Sequence, residues 1–312
     1  MSPSRRSHVR DRTLPKVGYG PASDGPEGDD VDQLFDLTDR VAIITGSTQG
    51  IGRACAERLC EHGARVVFSS RTASDCADRA EEANDRWGPD RALGVACDMS
   101  DPEQITALVA QTADRWGRVD VVVANAGDDH RTTSWVEKTD PRQMTDFFVA
   151  NVTNNLILAR AAVPHMRRRG EGSIVFNAST AGVAALEDYL PYGVSKAALV
   201  HMTKVLAVQL GPHGVRVNCV SPGPVAARGL DSGEWADEEF RRVVTGPIPL
   251  QRPGRPDEIA SAVVWLASPG SAFTTGQNVV IDGGQTLRGM QGPHDMVEIA
   301  RARKRTGSSD PR

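Results

Sequence analysis

The chain has 312 residues, enough to bury a full hydrophobic core. Its 36 basic and 40 acidic residues leave a formal net charge of -4, without the basic field expected of a nucleic-acid binder. The five cysteines are scattered with no CxxC pair, the histidines do not fall at metal-ligand spacing, and no apolar run is long enough to cross a bilayer. These features predict a cytoplasmic protein with reduced thiols and no catalytic metal.

Residues 1–35 are rich in Arg, Pro, Gly, Ser and Asp without hydrophobic period, and are expected to form a disordered arm. The first strand, Val41–Thr45, runs directly into Gly46, Ser47, Gln49, Gly50, Ile51 and Gly52, where a helix over 51–62 begins. Glycines between a first strand and a first helix let the backbone turn tightly and approach a pyrophosphate at the helix N-terminus. The second strand, Arg65–Ser69, ends on Ser70 and Arg71 rather than on an acidic residue. A planar guanidinium beside a hydroxyl suits a 2′-phosphate, which favours NADP(H), with NAD(H) as the alternative. A helix over 73–87 and a strand Ala92–Ala96 follow, then Asp98 and Met99, with Asp98 placed to accept from an adenine amine. After a helix over 102–116 and a strand Val119–Ala124, the run Asn125, Ala126, Gly127 lets backbone lie close to the cofactor.

The next helical pattern spans 141–169 and contains Asn151. Strand Ser173–Asn177 is followed by Ser179, at the strand end where a doubly wound sheet places ligands. Pro191 then opens a helix over 192–211 that carries Tyr192 and Lys196 four residues apart, hence on one face. A lysine cation near a phenol favours the phenolate and brings its proton transfer closer to neutral pH. With the Ser179 hydroxyl to hold an oxygen beside the phenol, the three form a site for moving a proton onto or off that oxygen. Strand Val215–Val220, the residues Pro222, Gly223 and Val225, a mixed segment 225–247 expected as a lid, a helix over 256–268 and strand Asn278–Ile281 complete one domain over 36–286. Residues 287–312 are expected to form a polar tail. Regular alternation of strands and helices predicts an α/β doubly wound parallel sheet covered on both faces.

With these pieces in order, the chain resembles the short-chain dehydrogenase/reductase family, notably its β-ketoacyl-carrier-protein reductases. The resemblance rests on TGSTQGIG at 45–52, CD at 97–98, NAG at 125–127, Asn151, Ser179, Tyr192-Gly193-Val194-Ser195-Lys196, Pro222-Gly223 and the segment from Pro249 to Gly284. It implies a Rossmann-type seven-stranded sheet in the order 3-2-1-4-5-6-7. It also implies that Tyr192 is the general acid or base and that Lys196 holds the nicotinamide ribose. Ser179 would then bind the reacting oxygen, and Asn151 would organise a water chain that resupplies protons. Thr153, Asn154 and Asn155 weaken the helix around Asn151 and suit the kink such a role needs. Three positions depart from the family pattern. Ala124 stands for a first asparagine, Ala227 for a hydroxyl residue, and Gln49 for a basic residue, so the phosphate reading rests on Arg71.

Substrate contacts are expected from Asp128, Ala184, Tyr189 and Arg228, a mixed set suited to a moderately polar carbonyl or secondary alcohol. The apolar sets of the helices at 141–169 and 192–211 suggest a homodimer or homotetramer. Two other readings stay open at this point: a 3-oxoacyl-thioester (acyl-carrier-protein) reductase, and a non-catalytic NADPH-sensing protein.

Overall fold

A computed structural model of the chain describes residues 32–127, 136–186 and 189–287. The seven strands are β1 (Val41–Thr45), β2 (Arg65–Ser70), β3 (Ala92–Ala96), β4 (Val121–Ala124), β5 (Gly172–Asn177), β6 (Val215–Pro222) and β7 (Asn278–Ile281). They form one all-parallel sheet in the order β3-β2-β1-β4-β5-β6-β7. In register, Ile43 of β1 lies between Val67 of β2 and Val122 of β4. The chain order reverses between β1 and β4, which opens a crevice at their carboxyl ends. The central strands are apolar on both faces because both are covered: β1 is buried at all five positions.

One face carries α1 (Gly50–Glu61), α2 (Ala73–Trp87) and α8 (Pro256–Ala267), with Leu59, Phe68, Ile259 and Val263 in a shared core. The other carries α3 (Pro102–Trp116), α5 (Asn154–Arg169) and α6 (Leu190–Leu210), centred on Leu108, Leu158, Met166, Ile174 and Leu199. All five cysteines are free and buried; burial pushes the Cys55 and Cys60 thiols up to about 12, so neither is a nucleophile at neutral pH.

The helix expected over 141–169 is interrupted. It consists of α4 (Pro141–Phe148), a π-helical turn Val149–Thr153 and α5. In the segment 225–247 a 3-10 turn, Gly233–Ala236, precedes α7 (Glu238–Thr245). Asp237 caps α7 by accepting from the Phe240 N–H at 3.0 Å. Before β1, a 3-10 turn at Asp32–Phe35 packs Phe35 against the core. Among the described residues, no helix is long and apolar enough to cross a membrane, and no three His, Cys, Asp or Glu side chains are grouped to hold a metal ion.

Candidate active site

The glycine turn closes as the motif requires. Gly46 and Gly50 take φ of +63° and +57°, the left-handed region a side chain disfavours. Gln49 occupies the N-cap of α1, and its side chain does not cap the first N–H groups of the helix. Ser47 turns inward instead. Its hydroxyl donates to the Ile44 carbonyl at 2.8 Å and accepts from the Ser69 N–H at 2.8 Å, tying the turn to β2. Ile51 packs partly buried on the core, and Gly52 is buried in the first turn of α1.

Asn125 braces the turn from the neighbouring strand. Its amide donates to the carbonyls of Thr45 at 3.0 Å and Gly46 at 3.2 Å, while the N–H groups of Asn125 and Ala126 both donate to the Thr45 hydroxyl at 3.0 Å. At the end of β2, the Ser70 hydroxyl lies 3.3 Å from the Cys76 thiol, and Arg71 is exposed. Asp98, beyond β3, accepts from the Ser100 N–H and hydroxyl, both at 2.8 Å. These bonds hold its carboxyl below the ordinary range, with the attraction of Arg71 adding to them. Met99 packs on the core beside it. Past β6, Gly223 donates to the Ile281 carbonyl at 2.9 Å, and the Val225 segment bridges to Gly254, whose carbonyl accepts from Ala226 at 3.0 Å.

Tyr192 and Lys196 lie one turn apart near the start of α6, with the Lys196 Nζ 5.5 Å from the centre of the phenol ring. Lys196 is buried, and its ammonium donates to the backbone carbonyl of Asn177, at the tip of β5, at 2.8 Å. Ser179 follows that tip and caps the 3-10 turn Thr180–Gly182, accepting from the Ala181 N–H at 3.1 Å. This turn approaches α6 through two glycines. A side chain at Gly193 would lie 2.8 Å from the Ala181 carbonyl oxygen, and one at Gly182 would lie 2.6 Å from the Lys196 carbonyl carbon.

Asn151 stands in the π-helical turn, fully buried. A β-carbon added at Gly127 would lie 2.5 Å from Asn151 Oδ1 and 3.5 Å from Lys196 Nζ, so Gly127 forms a floor that both groups overlie. Next to it, the Asn155 side-chain amide donates to the Asn151 backbone carbonyl at 2.8 Å.

Of the expected substrate residues, Tyr189 packs against Tyr192, ring centres 5.8 Å apart. Ala184 ends the Ser179 turn, donating to the Thr180 carbonyl at 2.8 Å, and Arg228 is exposed beyond β6. Asp128 lies outside the described residues. Three residues absent from the sequence-based set also meet here. Phe147 of α4 sets its ring edge-on to Tyr192 at 6.2 Å. Asn177 donates to the Asn125 side chain at 2.8 Å. Ser195 accepts from the Asn151 amide at 3.0 Å. Ser195 lies within the motif from Tyr192 to Lys196, which gave it no role, and the hint of Asn177 in the sequence is a polar residue at the end of an apolar strand.

A family model described as enoyl-(acyl carrier protein) reductase matches residues 46–286. An uncharacterized oxidoreductase of Mycobacterium tuberculosis is 38% identical over 261 residues, covering 83% of this chain and 97% of that protein. The dehydrogenase/reductase SDR family member 4 of Oryctolagus cuniculus is 35% identical over 253 residues, covering 81% and 95%. Among solved structures, a gluconate 5-dehydrogenase from Burkholderia cenocepacia in complex with NADP and tartrate superposes with a TM-score of 0.76 at 29% identity, over 83% of this chain and 99% of that one. Fold, motif order and these likenesses agree, and the chain belongs to the short-chain dehydrogenase/reductase family of NAD(P)-dependent oxidoreductases.

Proposed function

We propose that this oxidoreductase acts on a carbonyl or secondary alcohol with Tyr192 as acid and base, and that it prefers NADP(H) to NAD(H). The observation that carries the first part is the pairing of Tyr192 with a buried Lys196 on one face of α6, against which the turn capped by Ser179 packs and to which Asn151 is bonded through Ser195. The residues fit a nicotinamide dinucleotide. The uncapped start of α1 suits its pyrophosphate, Asp98 and Met99 its adenine, and Asn125, Ala126, Gly127, Pro222, Gly223 and the Val225 backbone its nicotinamide half. When bound, that cofactor supplies or removes the hydride.

The chain's own residues do the rest. The Ser179 hydroxyl holds the reacting oxygen, and the Tyr192 phenol gives it a proton in reduction or takes one in oxidation. The Lys196 cation favours the phenolate and holds the ribose, and Asn151 continues the proton path from Lys196. For the cofactor preference, the support is Arg71 at the end of β2, where a 2′-phosphate would lie, together with the NADP bound by the Burkholderia relative. An intact Asn151, Ser179, Tyr192 and Lys196 set speaks against a pure nucleotide sensor, which needs no proton donor. We also propose a homodimer or homotetramer through α4, α5 and α6.

The test is oxidation of NADPH, with NADH in parallel, against a panel of ketones, quinones and 3-oxoacyl thioesters. Turnover by the wild type and its loss in Tyr192→Phe, with NADPH still bound, is the expected result. Retained turnover in the variant refutes the acid/base role.

A further inference from the structure

We infer that Ser195 is a positioning residue that sets the orientation of the Asn151 amide above Gly127. The inference rests on the proposed role of Asn151 and extends it to a side chain that touches neither substrate nor cofactor. Ser195 is buried, one residue before Lys196 in α6. Its hydroxyl donates to the Tyr192 backbone carbonyl at 2.7 Å. A carbonyl cannot return a proton, and a serine hydroxyl has only one, so toward Asn151 the Ser195 Oγ can only accept. It meets the Asn151 Nδ2 at 3.0 Å. The two ends of an asparagine amide are nearly the same size, and which one faces a given neighbour is decided by the hydrogen bonds available. With Nδ2 committed to Ser195, Oδ1 must face the other way, and that is where it lies, over the Gly127 floor it shares with the Lys196 ammonium.

The consequence is chemical. An acceptor oxygen beside the ammonium is favourable, and it can receive a proton-bearing neighbour on the path to Lys196. A flipped amide would present two donors toward a cation, which breaks that path and disfavours the charged lysine. Ser195 therefore couples the backbone of the tyrosine turn to the π-helical turn, across 44 residues of sequence.

Ser195→Ala removes the acceptor without adding volume and keeps a good helix former. It is expected to lower kcat roughly three- to tenfold, the worth of one hydrogen bond, while leaving the Kd for the cofactor unchanged. The alkaline limb of the kcat pH profile should move to lower pH, because an ammonium that faces the donor end of a flipped amide loses its proton more readily. In the background of Asn151→Ala, a variant expected to be impaired on its own, Ser195→Ala should cause no further loss. An equal loss in both backgrounds with an unmoved pH profile would make Ser195 only a helix brace and overturn the inference. So would full activity of Ser195→Ala beside an impaired Asn151→Ala. Full activity of Asn151→Ala would instead overturn the role of Asn151 itself. Should Asn151→Ala fail to fold, the pH profile of Ser195→Ala decides alone.

Discussion

Arg71 carries the proposed preference for NADP(H). It is exposed just past β2, close enough to Asp98 for mutual attraction, and Gln49 in the glycine turn offers no second cation. A charge-assisted hydrogen bond contributes about 1.5–3 kcal/mol. Arg71→Ala should therefore narrow the ratio of kcat/KM for NADPH over NADH by roughly ten- to a hundredfold, with NADH turnover little changed. An unchanged ratio would place the phosphate on other groups. The neighbouring expectation for Ser47 differs in kind. Both its hydroxyl and its N–H are committed to Ile44 and Ser69, so it shapes the turn from below.

The break between α4 and α5 shows how local composition and long-range contacts share the work. Asparagine and threonine near 151–155 lower helix propensity, which the sequence reveals as a weak point. In the folded chain the weak point is a π-helical turn, in which the Asn155 amide donates to the Asn151 carbonyl and Ser195 accepts from the Asn151 side chain. Helix α8 is held differently, at its N-terminus. The Glu258 carboxylate accepts from Arg252 at 2.7 and 2.8 Å and from the Arg255 N–H at 2.8 Å. The Arg252 bonds chiefly, with the Arg255 N–H, hold its carboxyl down to about 2 from an ordinary 4.5. In the unfolded chain it binds a proton more readily, so its stabilisation is complete above about pH 4.5 and is lost as pH falls toward 2. Urea unfolding across that window should show a steeper loss of stability for the wild type than for Glu258→Gln; equal slopes would contradict the assignment.

Across the assembled fold, α4, α5 and α6 leave Phe148, Leu156, Val194, Val205 and Val208 exposed, whereas Phe147 and Leu210 of the same helices are buried within the chain. Apolar side chains left outside on adjacent helices are the feature a self-complementary interface covers. Sedimentation at micromolar concentration should give a particle of at least twice the 33.4 kDa chain mass; a monomer would remove the proposed assembly. The strand order and the site lie in one relation. The crevice opens where the order reverses at β1 and β4, and the Asn125–Asn177 bond links the glycine turn on one side of it to the Lys196 support on the other.

Much of this was legible in order along the chain. Strand periodicity, the glycine turn after β1, Tyr192 and Lys196 four residues apart, and a serine just past β5 are all local signals, because backbone propensity and side-chain spacing act over a few residues. They were sufficient for the fold class, the strand order through family resemblance, and the residues proposed for chemistry. Folding in three dimensions settled what local signals cannot encode. Asn151 and Ser195 are 44 residues apart, Asn125 and Asn177 are 52 apart, and Phe147 reaches Tyr192 from another helix. Such pairings exist only once the strands have registered and the helices have docked. A buried polar side chain then has to find its partner wherever packing has put one.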